Sequence, residues 1–348
     1  MMTEVVRVDR DRPNPDDIAR AAECLRRGGL VAFPTETVYG LGVHALDRDA
    51  VRKLFDAKRR PANDPLIVHV AEFGQIAPLV TALPEHAASL AARFWPGPLT
   101  LILPRASSVP LEVTAGLQTV AIRIPAHPVA RALLAAAAVP VAAPSANLFS
   151  RPSPTRASHV VEDLDGRIDM IIDGGTTDVG VESTVLDLTV SPPQMLRPGA
   201  ITLEALCDVL ASVGVASARS ANTSRSPGLL ARHYSPRVPM TLYQGPTDAA
   251  RAALVTAARK AIAGGSRVGV VATSGDARLL DQIPVVIADL GPDDDAKGAA
   301  VRLYAALREL DTANVDVILA REAPHNDGLW HALRDRLRRA AANIVAAD

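Results

Sequence analysis

Hydrophobic and polar positions alternate along the first 210 or so residues with two different spacings. Short apolar runs at 30–33, 66–70, 99–103, 120–124, 139–142, 168–172 and 181–188 have the length and composition of buried strands. Between them, apolar residues recur every three or four positions near 48–58, 84–94, 127–138, 155–164 and 202–213, the spacing of helices with one buried face. Asn14-Pro15-Asp16-Asp17 marks an earlier helix start, with a cap residue, a proline in the first turn and two acids at the positive end of the helix dipole. Ile18, Ala21, Ala22 and Leu25 form its apolar stripe, and Gly28-Gly29 end it. Strand and helix in alternation predict an α/β domain over 1–213, with polar residues gathered in loops at strand ends.

The pattern breaks at 214–238. Ser217, Ser220, Asn222, Ser224, Ser226, Pro227, Gly228 and Pro236 give this stretch the composition of a linker. Within it, 226–236 brings Arg232, His233 and Tyr234 together, more chemistry than a tether requires. From 239 to 348 the alternation resumes, with strands expected at 240–243, 267–272, 285–288 and 315–319 and helices at 247–263, 295–310 and 328–342. That is a smaller Rossmann-like βαβ domain. It lacks the glycine-rich turn of a dinucleotide site, and the chain nowhere holds a G-x-x-x-x-G-K-[ST] phosphate loop.

Composition narrows the function. At 348 residues, 48% of them hydrophobic and 3% aromatic, the chain can bury two cores of small aliphatic side chains. A net charge of −1 disfavours broad electrostatic capture of nucleic acid or anionic membrane. No apolar run approaches membrane-spanning length, and the first residues lack the apolar core of a signal peptide. Cys24 and Cys207, far apart and each in a helical pattern, read as small core residues of a cytoplasmic protein. The eight histidines show no metal-ligand spacing.

Candidate chemistry concentrates at strand ends. Phe33-Pro34-Thr35-Glu36-Thr37-Val38-Tyr39-Gly40-Leu41-Gly42 follows the 30–33 run with hydroxyls, a carboxylate and two glycines, as suits a small polar ligand. Lys58-Arg59-Arg60 sits at a helix end, where cations either answer the dipole or, in a chain with four lysines, contact a polyphosphate. Alternation puts Ile67 and His69 on one strand face and Leu66, Val68 and Val70 on the other. It likewise sets Arg123 opposite Val120, Ile122 and Ile124, either solvated or clamping a carboxylate across a cleft. Pro140 to Asn147 ends a strand in rigid turns that resemble an anion cradle, with Ser145 inside it; Ser153 and Thr155, a candidate helix cap, follow. Ser183 is placed in the strand after Gly180, and Arg197 precedes a Pro-Gly turn as a further cation.

These segments together resemble the YrdC-like family of threonylcarbamoyl-AMP synthases in its long two-domain form. The resemblance is carried by PTETVYGLG at 34–42, KRRPANDPLIVH at 58–69, WPGPLT at 95–100, AIRIP at 121–125, APSAN at 143–147, GVEST at 180–184, the LRPG turn at Arg197 and SPGLLARHYSP at 226–236. It implies a YrdC-like twisted mixed sheet with helices, joined by the linker to the Rossmann-like domain. It implies a nucleotidyl transfer joining L-threonine, bicarbonate or CO₂ and ATP, with Mg²⁺ accompanying ATP, and a product passed to the machinery that makes N6-threonylcarbamoyladenosine (t⁶A) in tRNA. Carried over residue by residue, Arg123 takes the threonine carboxylate, while Thr37, His69, the Ala143 backbone and Ser183 take its amine and hydroxyl. Lys58 and Arg60 act on the transferring phosphoryl group, and Asp64, Thr119, Ser145, Ser153, Arg197 and His233 join Arg60 around ATP. Asp64 stands where the pattern expects an asparagine directly before the proline. The linker is expected to close over the cleft. A rival reading is RNA binding, with basic patches at Arg52, Lys53, Lys58, Arg59 and Arg60 and at Arg334, Arg336, Arg338 and Arg339, the latter more simply a solvated helix face.

Overall fold

The structure, a computed structural model, describes residues 2–216 and 233–347. Its chain contacts fall into two units. The first holds the chain through Phe149, then Ser153–Asp178, then the run from Glu182 into the undescribed stretch. The second holds Ser150–Pro152, Val179–Val181 and the chain beyond that stretch. The proposed linker falls mostly on 217–232, outside the described residues.

Among the described residues of the first unit, eleven strands form one sheet: β1 (Glu4–Arg7), β2 (Val31–Pro34), β3 (Tyr39–His44), β4 (Ile67–His69), β5 (Leu99–Pro104), β6 (Thr119–Arg123), β7 (Val141–Ala142), β8 (Met170–Asp173), β9 (Thr184–Asp187), β10 (Gln194–Arg197) and β11 (Gly214–Val215). Their order is β1-β8-β2-β3-β7-β4-β6-β5-β9-β10-β11, mixing parallel and antiparallel neighbours. Leu66, Val68, Val70, Val120, Ile122 and Ile124 face the main core with Leu54, Phe55 and Leu90 from the flanking helices. The period of two then turns Ile67 and Ala121 to the other face, where Ile102, Val185 and Leu196 complete a small apolar floor. His69 shares the parity of Ile67, and Arg123 that of Ala121. The helix Pro15–Arg26 packs with Pro128–Ala137 against the remaining edge, burying Ile18, Ala21, Ala22 and Leu25 as the stripe predicts.

Several elements depart from the sequence expectation. β3 crosses what reads as a glycine-rich loop, because its glycines hide a strand. A Cβ on Gly42 would come 2.8 Å from the Phe33 ring and 2.9 Å from Val141, so the close strand packing leaves no room for one. β1, β10 and β11 are too short to stand out from their surroundings, and Gly214 and Val215 pair with β10 rather than beginning the linker. The 181–188 run becomes a strand at Thr184, so Ser183 precedes it. The cap of the helix Ala157–Leu164 is Arg156, not Thr155. The 202–213 helix stops at Cys207 after five residues, and with no long buried face Cys207 is exposed rather than a core residue, while Cys24 is half-buried and packs against the core.

In the second unit, β12 (Met240–Gln244), β13 (Val268–Ala272), β14 (Val286–Asp289), β15 (Val317–Arg321) and β16 (Asn343–Ala346) form a parallel sheet in the order β14-β13-β15-β12-β16. Helices Thr247–Ala263, Ala296–Thr312 and Gly328–Ala340 intervene. β16 is additional to the expected strands: the last helix ends at Ala340, and four exposed residues add an edge strand. His233 and Tyr234 belong to this unit; His233 N–H donates to Arg339 O at 3.0 Å, and the Tyr234 ring lies between His233, Tyr304 and the Arg336 guanidinium. No helix of the described residues is long and apolar enough to cross a membrane.

Asn14 caps the first helix as expected, accepting from Asp16 N–H at 2.9 Å. Asn14→Ala should lower stability by about 1 kcal/mol, and Asn14→Asp should restore most of it; urea denaturation of the three proteins checks this.

Candidate active site

β6 ends in Arg123, and its parallel neighbour β4 sets His69 directly beside it in register. The Arg123 guanidinium is buried and held from three sides. Its Nε donates to Gly97 O at 3.2 Å, Nη1 donates to Thr37 Oγ1 at 3.0 Å, and Nη2 lies 2.6 Å from Glu36 Oε1. The Glu36 contact is an ion pair rather than an aligned hydrogen bond: Arg123 Nη2 and both Glu36 oxygens are buried without a hydrogen-bond partner, and so is His69 Nδ1. Burial, and next the charge of Arg123, pushes the His69 imidazole down to about 3, so it stays neutral. Four polar atoms of three side chains thus lie buried without an aligned hydrogen bond. Buried polar atoms in that state are unusual, and a polar ligand accounts for them.

The loop carrying Thr37 is locked by its own hydroxyls. Thr35 Oγ1 donates to Val38 O at 2.6 Å and lies 2.8 Å from Thr37 Oγ1, which accepts a hydrogen bond from Arg123. Ala143 follows β7 with its N–H committed to Ile67 O at 2.9 Å, leaving its carbonyl to meet a ligand amine.

A second cluster forms where β9 begins. Ser183 Oγ lies 2.8 Å from Thr100 Oγ1 and accepts from Arg197 Nη2 at 3.1 Å, while Arg197 Nε donates to Ser183 O at 3.1 Å. Arg197 is therefore buried and structural to Ser183, not a surface arginine. Ser153 Oγ donates to Glu182 Oε1 at 2.5 Å in the adjoining loop. A third cluster is the cradle at 143–147. Lys58, the buried last residue of its helix, donates to the carbonyls of Ser145 and Asn147. Burial, followed by the charge of Arg60, lowers its pKa well below the ordinary lysine value. Arg60 ion-pairs with Asp64 at 2.9 Å and donates to Pro65 O, so Asp64 serves here as an arginine partner.

Thr119 opens β6, half-buried and about 13 Å along the strand from Arg123, on the same face. His233 lies in the second unit. Glu36, Thr100 and Glu182 were not singled out from the sequence as site residues. Each stands inside a quoted motif, and the signal for Glu36 was an acid flanked by two threonines at a strand exit.

Both basic patches of the RNA reading are broken up. Lys58 and Arg60 are buried and Arg52 pairs with Asp49 and Glu112, which leaves Lys53 and Arg59 as the exposed cations there. Arg336 is buried, Arg334 and Arg338 both pair with Glu322, and Arg339 pairs with Asp335, although Arg338 stays exposed.

Residues 23–199 match a family model described as "Telomere recombination", and residues 201–342 match one described as "Threonylcarbamoyl-AMP synthase, C-terminal domain". Over 344 residues, 98% of either chain, the sequence is 46% identical to the threonylcarbamoyl-AMP synthase of Pyrococcus abyssi. The chain belongs to the threonylcarbamoyl-AMP synthase family. The Bacillus subtilis threonylcarbamoyl-AMP synthase is 44% identical over 335 residues, 95% of either chain. A crystal structure of P. abyssi Sua5 complexed with L-threonine matches with a TM-score of 0.93 and 44% identity, covering 99% of this chain and 100% of that one. The fold expected for the family, a mixed sheet domain followed by a parallel α/β domain, is the fold observed.

Two expectations follow from this geometry. A Cβ at Gly199 would lie 2.4 Å from Thr184 N and 2.6 Å from Glu182 O, both backbone atoms that frame Ser183. Gly199→Ala should therefore cost about 1–3 kcal/mol of stability, read by urea denaturation. Because the folded His69 value lies below the ordinary 6.5, the unfolded chain binds a proton that the folded chain refuses as pH falls from 6.5 toward 3. This contribution is complete above pH 6.5 and is lost below it, by up to about 1.4 kcal/mol per pH unit. Denaturation curves at pH 7, 6 and 5 should fall less steeply for His69→Asn than for the unaltered chain.

Proposed function

We propose that this chain joins L-threonine, bicarbonate or CO₂ and ATP into L-threonylcarbamoyl-AMP with release of pyrophosphate. The observation that carries the reading is the buried Arg123 centre, a fixed cation beside a neutral histidine and a threonine hydroxyl, with polar atoms left unsatisfied. It has the charge to hold the carboxylate of a small amino acid. Family membership and the L-threonine complex of the P. abyssi relative support the same substrate.

In this reading the threonine carboxylate lies on Arg123, its hydroxyl meets Thr37 or His69, and its amine meets the Ala143 carbonyl. Neutral His69 accepts or donates a hydrogen bond without adding charge. The carbamate formed on the amine then attacks the α-phosphate, and negative charge spreads over the phosphoryl oxygens as pyrophosphate leaves. Lys58, Arg60 and Arg197 supply positive potential for that charge. An incoming polyphosphate favours the ammonium form of Lys58, which burial alone disfavours. The water-poor pocket limits hydrolysis of the carbamate and the adenylate. No protein nucleophile is needed.

Among the described residues no group of three or more acids, histidines or cysteines is placed to hold a metal ion. Mg²⁺ enters this reading as the companion of ATP, and none of the steps assigned to the chain passes through it. In this reading the adenylate is the activated donor for t⁶A formation in tRNA, and the reaction runs in the cytoplasm.

Purified protein given ATP, Mg²⁺, bicarbonate and L-threonine should release pyrophosphate and form a product with the mass of threonylcarbamoyl-AMP, both dependent on threonine. Arg123→Ala should raise the KM for threonine at least about tenfold, the loss of one charged hydrogen bond. Lys58→Ala should depress kcat with little change in that KM. Folded protein that binds ATP but forms no adenylate would overturn the proposal.

A further inference from the structure

Glu36 has no part in the reaction as derived above, yet its carboxylate occupies the cation that the substrate carboxylate needs. It is almost fully buried, 2.6 Å from Arg123 Nη2, and neither of its oxygens makes an aligned hydrogen bond. Its backbone is fixed: Glu36 O accepts from Asp178 N–H at 3.1 Å, and the hydroxyls of Thr35 and Thr37 brace the turn on either side. Only its side chain is free to be redirected.

We propose that Glu36 is the ammonium partner of the amino-acid substrate, and that the zwitterion inserts into the Arg123–Glu36 ion pair. The inference rests on the reading of L-threonine as substrate. Charge conservation in a dry pocket carries it. If the substrate carboxylate simply displaced Glu36 from Arg123, a buried carboxylate would be left unpaired, at a cost of several kcal/mol. The neutral imidazole of His69 offers it no counter-charge. The substrate ammonium does. After exchange, Arg123 holds one carboxylate and Glu36 holds one ammonium, so two ion pairs stand where there was one and no charge in the pocket is left unpaired. The ion pair thus serves as a template for a zwitterion: a ligand with a carboxylate alone strands Glu36, and one with an amine alone strands Arg123. Selection for an α-amino acid follows before the side chain is read.

Isothermal titration of the full chain, without ATP, tests this with L-threonine, 3-hydroxybutanoate (the carboxylate without the amine) and L-threoninol (the amine without the carboxylate). The unaltered chain should bind L-threonine at least about tenfold more tightly than either half-ligand, the worth of one charge-assisted hydrogen bond. Glu36→Gln, nearly isosteric, should weaken L-threonine at least about tenfold while strengthening 3-hydroxybutanoate, because Arg123 loses its resident anion. Glu36→Asp keeps the charge and should keep the preference for the zwitterion. A purely structural role for Glu36 would weaken all three ligands alike, and that result would overturn the proposal. So would tighter L-threonine binding in Glu36→Gln, which would make Glu36 a competitor. Failure of the unaltered chain to bind L-threonine would overturn the substrate reading itself, and this inference with it.

Discussion

A guanidinium cannot shed its charge, so burying one obliges the surrounding chain to supply anions and acceptors. Arg123 imposes that requirement on the first unit. It draws in the Gly97 carbonyl from one segment and the neighbouring Thr37 hydroxyl and Glu36 carboxylate from another. Meeting it fixes the strand exit at 34–38, the turn after Trp95 and the end of β6 relative to one another. Burial, and next the same charge, keeps His69 neutral. One residue at the end of a central strand thereby sets the electrostatics of the pocket and the position of its walls. Partners brought by a folded chain are never a perfect match for a ligand, and the misaligned Glu36 contact is the visible remainder.

The sequence reveals strand parity in the centre of the sheet very well. At 66–70 and 120–124 a simple alternation separates core from pocket, and both His69 and Arg123 fall on the correct side. It reveals the first helix down to its cap. It fails where glycine replaces bulk, as in β3, since a strand squeezed against an aromatic ring looks like a loop when read one residue at a time. Four-residue strands such as β1, β10 and β16 carry too little pattern to separate from their flanks; β10 becomes a strand through β9 and β11 on either side of it in sequence, and β16 through the distant β12. The site was legible as a set of motifs but not as pairings. Arg60 with Asp64, Arg197 with Ser183, and Arg123 with Glu36 depend on side-chain directions that spacing alone does not give.

The second unit handles charge in another way. Asp276 receives both Arg251 and Arg321, at 2.7 and 2.8 Å, and Glu322 receives Arg334 and Arg338. Each acid bridges elements distant in sequence, so these networks fasten helices to the ends of β13 and β15. An arginine-rich helix that reads as solvated is in fact bound inward, with Arg336 fully buried against Tyr234. Arginine serves this purpose better than lysine because its planar fork reaches two partners at once.

The pairing of β1 with β8 has a consequence in time. Glu4 aligns with Met170 and Arg7 with Asp173, and Thr3 donates to Ile168 O at 2.8 Å. Nothing nearer in the chain offers the first strand an edge. During synthesis at the usual pace, the N-terminal strand waits on the order of ten to thirty seconds before its partner exists. Val5 is exposed even in the finished sheet, and Glu4 and Arg7 flank it. A strand so short and so charged can wait without recruiting the wrong neighbour, which a longer apolar one could not.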